Sequence, residues 1–247
     1  ATLFLRGRNN MYLKTYDYFV KKYPESDYLE ILKNMTAHIR LVNWKETGKT
    51  NEYDIASDTY ISLIKQYPES PLYERNNLIL GYMQLEHGEA LNTLQNFQNF
   101  VAKFPKSPEV PQARKALAEA LLIMHKYDDS LKELSGISND FAKTKDGAEA
   151  KYRFGDVEFA RGNWSGAVQA YNKALKELPQ YSKDFPNAHF NLAEAMFWSR
   201  SYKDSLNEFV NFLTLFPTHS YGGYAMTRIG EIPAVLGAGP RRVSGDC

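Results

Sequence analysis

The chain has 247 residues, 43% of them hydrophobic and 24% charged, with 30 basic side chains against 29 acidic ones and a formal charge of +1. That balance gives no electrostatic ground for binding nucleic acid or an anionic membrane surface. Cys247 is the only cysteine, which excludes an internal disulfide and a multi-thiolate metal site. No run approaches the roughly 18 apolar residues of a membrane span.

In chain order, apolar residues fall at helical spacing and predict helices over 9–23, 27–43, 53–67, 71–86, 89–104, 108–125, 127–141, 146–161, 164–178, 186–199, 202–216 and 221–232. Sustained alternation of the kind a strand needs is missing. Pro71, Pro108, Pro111 and Pro186 stand where a first helical turn tolerates proline, with Ser70 and Ser107 beside them as N-caps. Pro233 and the Gly-rich stretch after it end regular helix near Ile232.

An aromatic-Pro mark recurs along the chain: Tyr23-Pro24, Tyr67-Pro68, Phe104-Pro105 and Phe216-Pro217, with Phe141-Ala142 and Leu178-Pro179 as variants. Successive intervals are 44, 37, 37, 37 and 38 residues. Small residues at Ala37, Gly81, Ala118, Gly155, Ala193 and Gly230 keep the same phase, as do Ala56, Thr93, Ser130, Ala167 and Ser205. Three ladders in phase indicate a repeat array of antiparallel helix pairs, in which small residues let facing backbones approach. Trp164 and Tyr202 fill the space beside them, and Phe97, Tyr171 and Phe209 pack toward the next pair. The reading is five pairs with an unpaired helix at each end, one solenoid over 1–232 and an irregular tail over 233–247. The seven extra residues of the first interval, near 43–51, are expected in a longer inter-helix loop.

Residues 148–179, AEAKYRFGDVEFARGNWSGAVQAYNKALKELP, strongly resemble the tetratricopeptide repeat, with Gly155, Trp164, Ala167, Tyr171, Ala174 and Pro179 at its signature positions. The resemblance implies an all-α fold, a right-handed superhelical solenoid of antiparallel helix pairs. The 37- and 38-residue period, with YPES, FPKS and FPTHS at the junctions, is similar to the longer repeats of bacterial cell-envelope proteins, such as outer-membrane-assembly lipoproteins and the Tol-Pal coordinator. This leans localisation toward a bacterial periplasm or envelope, with cytoplasm as the alternative.

In that family the first helix of each pair lines a concave face. Carried onto this chain, the face presents Tyr82, Glu119, Leu122, Tyr152, Asp156, Phe159, Phe190, Glu194 and Phe197. It would be an aromatic groove with an acidic spine, suited to a peptide or protein partner carrying Lys or Arg and apolar anchors. The expected function is a non-catalytic protein-protein interaction scaffold within a larger complex. Two alternatives remain: a helical repeat reading single-stranded RNA, and a purely architectural subunit. The five histidines are scattered among different repeats, no HExxH pair occurs, and no catalytic constellation, metal site or cofactor motif stands out.

Overall fold

The computed structural model describes residues 2–237, with side chains described from 11 to 234. Among the described residues all regular structure is helical, in the order α1 (Thr2–Lys22), α2 (Leu29–Thr47), α3 (Thr50–Gln66), α4 (Tyr73–His87), α5 (Ala90–Lys103), α6 (Val110–Ile123), α7 (Tyr127–Asp140), α8 (Lys145–Ala160), α9 (Trp164–Glu177), a 3-10 segment (Pro179–Asp184), α10 (Pro186–Trp198), α11 (Tyr202–Leu215) and α12 (Gly222–Gly237). The fold is therefore the expected all-α assembly of antiparallel helix pairs. Two compact units divide between Ala116 and Leu117, inside α6. In the first, α1 packs on α2, α2 pairs with α3, α3 meets α4, and α4 pairs with α5. In the second, α7 packs on α8, α8 pairs with α9, both meet α10, α10 pairs with α11, and α11 packs on α12.

The aromatic-Pro mark is the end of each second helix. Tyr67, Phe104, Phe141, Leu178 and Phe216 are the C-cap residues, with φ between −119° and −134° and ψ between 31° and 63°. At four of the five a following proline disfavours the helical region for the residue before it; α7 stops the same way at Phe141, which Ala142 follows. The chain then makes two successive turns: Ser70 N–H donates to the Tyr67 carbonyl and Tyr73 N–H to that of Ser70, a pattern repeated at Phe104, Ser107 and Val110 and at Phe216, His219 and Gly222. Ser70 and Ser107 work inside these turns rather than as N-caps of the long helices. Their hydroxyls accept from the N–H groups of Leu72 at 3.0 Å and Glu109 at 3.1 Å, and donate back to Glu30 and Glu74 of the preceding repeat.

Within each pair the polar turn places one residue in the left-handed region: Gly48, Gly88, His125, Gly162 and Arg200. The surplus of the first interval does not form a loop. It lengthens helices instead, since α2 and α3 are four and three residues longer than α4 and α5, while the connection at Gly48-Lys49 stays short. The added turns carry Trp44 and Tyr53, whose rings lie 5.1 Å apart, and Tyr53 stacks at 3.6 Å on His87 of α4. Buried aromatic area thus stabilises the extension as helix.

The small-residue ladders face each other as expected. Ser130 and Ser205, both fully buried, donate to the backbone carbonyls of Ala118 at 2.7 Å and Ala193 at 2.9 Å across their pairs. Phe97 and Tyr171 lie first against Gly81 and Gly155 of their own pairs, and Tyr171 also joins a core with Ala188 and Leu192 of α10. Regular helix does not end at Ile232: α12 runs to Gly237 with Pro233 inside it. Pro233 removes one backbone donor, whereas Ile232 beside it is fully buried with Phe209 and Phe212, so packing holds the helix through the proline. The remainder of the expected tail lies outside the described residues.

Candidate functional site

A short pattern recurs on the first helices of the second unit: Arg153-Phe-Gly-Asp156, Asn191-Leu-Ala-Glu194 and Arg228-Ile-Gly-Glu231. Donor and acid lie three residues apart on one helical face, and each donor reaches back to the acid of the repeat before it. Arg153 Nη1 lies 3.3 Å from Glu119, Asn191 Nδ2 donates to Asp156 at 3.0 Å, and Arg228 Nε and Nη2 meet the Glu194 carboxylate at 2.7 and 3.1 Å. The chain thus supplies much of the counter-charge for these acids itself. The sequence carries that signal in the Arg or Asn three residues before Asp156, Glu194 and Glu231.

Asp156 is held further by the Tyr171 hydroxyl, which donates to it at 2.5 Å. Burial is the dominant influence on this carboxyl and pushes its pKa up, against the pull of its hydrogen-bond donors. The same site pushes the Tyr171 phenol up, by burial first and by the Asp156 charge second. Glu194 is buried, its side chain 10% exposed, and Trp198 Nε1 donates to it at 3.2 Å. Within this row Arg153 meets Glu119, and Arg228 meets Glu194 and Glu231, while Asp156 takes its hydrogen bonds from the neutral Tyr171 and Asn191.

Beside the row lies a cleft of about 500 Å³ among α8, α10 and α12, lined by Phe159, Phe190, Asn191, Glu194, Tyr221, Tyr224, Thr227 and Arg228. Three of the expected groove residues, Phe159, Phe190 and Glu194, meet here. Tyr221 and Tyr224 complete it: the Tyr221 ring stands 4.8 Å from that of Phe190 and 6.2 Å from that of Tyr224, and Tyr224 is 68% exposed. A larger depression of about 750 Å³ lies among α7, α8 and α9, but its polar walls are already bonded to one another, with Lys151 to Glu177 at 3.0 Å and Asn163 to Glu158 at 2.6 Å. The aromatic cleft is the better candidate, because four aromatic rings line it and two of them, Tyr221 and Tyr224, are exposed.

Other expected groove residues lie elsewhere. Tyr152 is buried, its hydroxyl donating to the Leu178 carbonyl at 3.0 Å and its ring 4.8 Å from Phe185; it locks the α9 junction instead of lining a surface. Leu122 packs on the core around Ala118, Leu134 and Val157. At Tyr152 apolar packing between helices outcompetes exposure, whereas Leu122 is only partly buried and lies beside Glu119 and Asp156. Phe197 sits under the Arg228 guanidinium, 4.7 Å from ring centroid to Cζ. Tyr82 belongs to the first unit, where its ring meets Phe97 edge-on at 5.0 Å and burial pushes its phenol up to about 12. Trp164 is only half-buried: one side meets Phe159 at 5.0 Å and the other stacks toward Trp198 at 6.0 Å.

Comparison with known proteins agrees with this architecture. Residues 155–197 match the family model described as TPR repeat, the tetratricopeptide repeat. No curated protein matches the chain. Among solved structures, the apo form of RapI is similar with a TM-score of 0.69 at 14% identity, over 93% of this chain and 69% of that one. A tetratricopeptide repeat protein from Parabacteroides merdae gives 0.56 at 14% identity, over 82% and 74%. A thermophilic TPR protein of Thermus thermophilus gives 0.54 at 18% identity, over 80% and 99%. At these identities the likeness concerns the fold. No helix among the described residues is long and apolar enough to cross a membrane.

Proposed function

We propose that this chain, whose helix pairs resemble tetratricopeptide repeats, is a non-catalytic scaffold that holds a segment of a partner protein in the cleft among α8, α10 and α12. The tetratricopeptide fold in general mediates protein-protein interaction. The observation that carries the finer reading is the convergence of Phe159, Phe190, Tyr221 and Tyr224 on one open cleft beside a row of carboxyl groups. Exposed tyrosines offer large contact area at small entropic cost. Carboxyl groups beside the cleft favour a partner with Lys or Arg next to its apolar anchors over an acidic one.

Photo-crosslinking tests this. A crosslinker placed at residue 224 should capture a partner from cell extract, while one at the exposed Val210 of α11 should not. Tyr221→Ala and Tyr224→Ala should each weaken that capture, and rising salt should weaken it further. Equal capture from positions 210 and 224, or binding indifferent to both tyrosine substitutions, would remove the cleft from the account.

A further inference from the structure

Arg228 is held as a bound ligand would be. Its Nε and Nη2 meet the two oxygens of Glu194 at 2.7 and 3.1 Å, and its Nη1 lies 2.7 Å from Glu231. Its Cζ stands 4.7 Å from the ring centroid of Phe197 and 5.5 Å from that of Trp198. Paired carboxylate contacts and aromatic faces are the two features that recognise a planar, delocalised cation and discriminate it from an ammonium.

Most of that receptacle belongs to one helix. Glu194, Phe197 and Trp198 lie at i, i+3 and i+4 on α10, so they share a face whatever α12 does. Trp198 Nε1 also orients the Glu194 carboxylate at 3.2 Å, independently of Arg228. Arg153, at the equivalent position of α8, meets Glu119 and Glu149 at 3.3 and 3.1 Å, and among the described residues no ring lies beneath it. The rung at Arg228 is therefore more than the inter-repeat tie seen at Arg153. Glu194 and Arg228 also form one wall of the aromatic cleft, so a segment bound there has its side chains within reach of the same carboxylate.

We propose that Glu194, Phe197 and Trp198 form a recognition site for a guanidinium group, that Arg228 fills it from within the chain, and that an arginine of a bound partner takes the site by displacing Arg228. The occupant is a partner arginine, chosen by charge complementarity: the site already holds that side chain against two carboxylates. Arg228 then acts as an internal competitor that lowers affinity until a partner supplies both an arginine and apolar anchors for Tyr221 and Tyr224. The role of the displacement rests on the cleft reading above; the guanidinium site itself does not.

The probe is ethylguanidinium, with ethylammonium as the comparison, titrated against the full chain while the Trp198 indole N–H resonance is followed. Arg228→Ala should show a saturable shift with ethylguanidinium at least tenfold tighter than the native chain shows, and a much weaker one with ethylammonium. Arg228→Gln, which keeps much of the side chain's bulk, serves as a second variant, and circular dichroism checks that both retain helix. Equal responses from the native chain and the variants, no preference for ethylguanidinium over ethylammonium, or loss of helix in both variants would overturn the proposal and leave Arg228 a structural tie. The cleft reading is judged separately by crosslinking at residue 224: if that fails while ethylguanidinium still binds Arg228→Ala, the guanidinium site stands and the peptide cleft falls.

Discussion

The ring of Tyr171 occupies the space in which a side chain at position 155 would begin: a Cβ added to Gly155 would stand 2.3 Å from Tyr171 Cε1. Gly81 has the same relation to Phe97, at 2.7 Å to Cζ. At both sites the absence of a side chain lets an aromatic ring of the second helix rest directly on the backbone of the first. Gly155→Ala and Gly81→Ala should therefore lower stability by about 1–3 kcal/mol through overpacking. Gly230 holds the same place in the ladder, but nothing lies within 4 Å of its added Cβ. Gly230→Ala should instead raise stability by up to about 1 kcal/mol, because it only removes glycine's cost inside a helix. Urea unfolding of the three variants checks the opposite signs.

The buried hydroxyls of Ser130 and Ser205 give a second test. Each donates to a carbonyl of the facing helix, at 2.7 and 2.9 Å. Ser130→Ala and Ser205→Ala should each cost about 1 kcal/mol. The double variant should show the sum of both losses, since the two sites lie in different pairs and share no partner. Thermal denaturation of the single and double variants measures this.

Asp156 makes stability depend on pH in an unusual direction for a carboxylate. Burial raises its pKa above the ordinary 3.8, so the folded state holds the proton more tightly than the unfolded chain does. Its contribution is fully present below the unfolded value and is lost as pH rises through the folded one. Asp156→Asn keeps an oxygen that can accept from Tyr171 and Asn191 while removing the buried charge. Relative to the native chain the variant should gain most at pH 7, and the gain should shrink toward pH 3. Paired urea titrations at the two pH values read the difference, in which the other carboxylates cancel.

Arg200 carries a positive φ of 66° in the turn between α10 and α11, where Gly48, Gly88 and Gly162 serve the equivalent turns. Left-handed backbone costs a residue with a Cβ roughly 1–2 kcal/mol. Arg200→Gly should therefore raise the melting temperature. His125 has a φ of 57°, but its ring also contacts the Tyr127 hydroxyl at 2.9 Å, so His125→Gly should gain less.

Much of the fold could be read along the chain because a repeat states the same physical requirement several times. One glycine means little, whereas Ala118, Gly155 and Ala193 at matching intervals point to one close approach made again and again. The seven residues near 43–51 were harder to place: nothing local distinguishes a loop from two longer helices, and the outcome turned on whether Trp44 and Tyr53 found a ring to pack on. They found His87 of the next pair. The candidate site was legible in part for the same reason. Phe159, Phe190 and Glu194 follow from helix phase, while Tyr221 and Tyr224 enter the cleft from a junction and from the start of α12, where no ladder points to them.

Helical character, the pairing of helices and the small-residue contacts were determined by the order of the amino acids, since each depends on spacing within some forty residues and on the size of single side chains. Which charges remain available to a partner was decided only in three dimensions. Glu119, Asp156 and Glu194 look equally free along the chain, yet Arg153, Asn191 and Arg228 each reach them from the following repeat, 34 or 35 residues away. A carboxylate's availability depends on what stands within hydrogen-bonding distance of it, and that distance is fixed by the packing of one helix pair on the next.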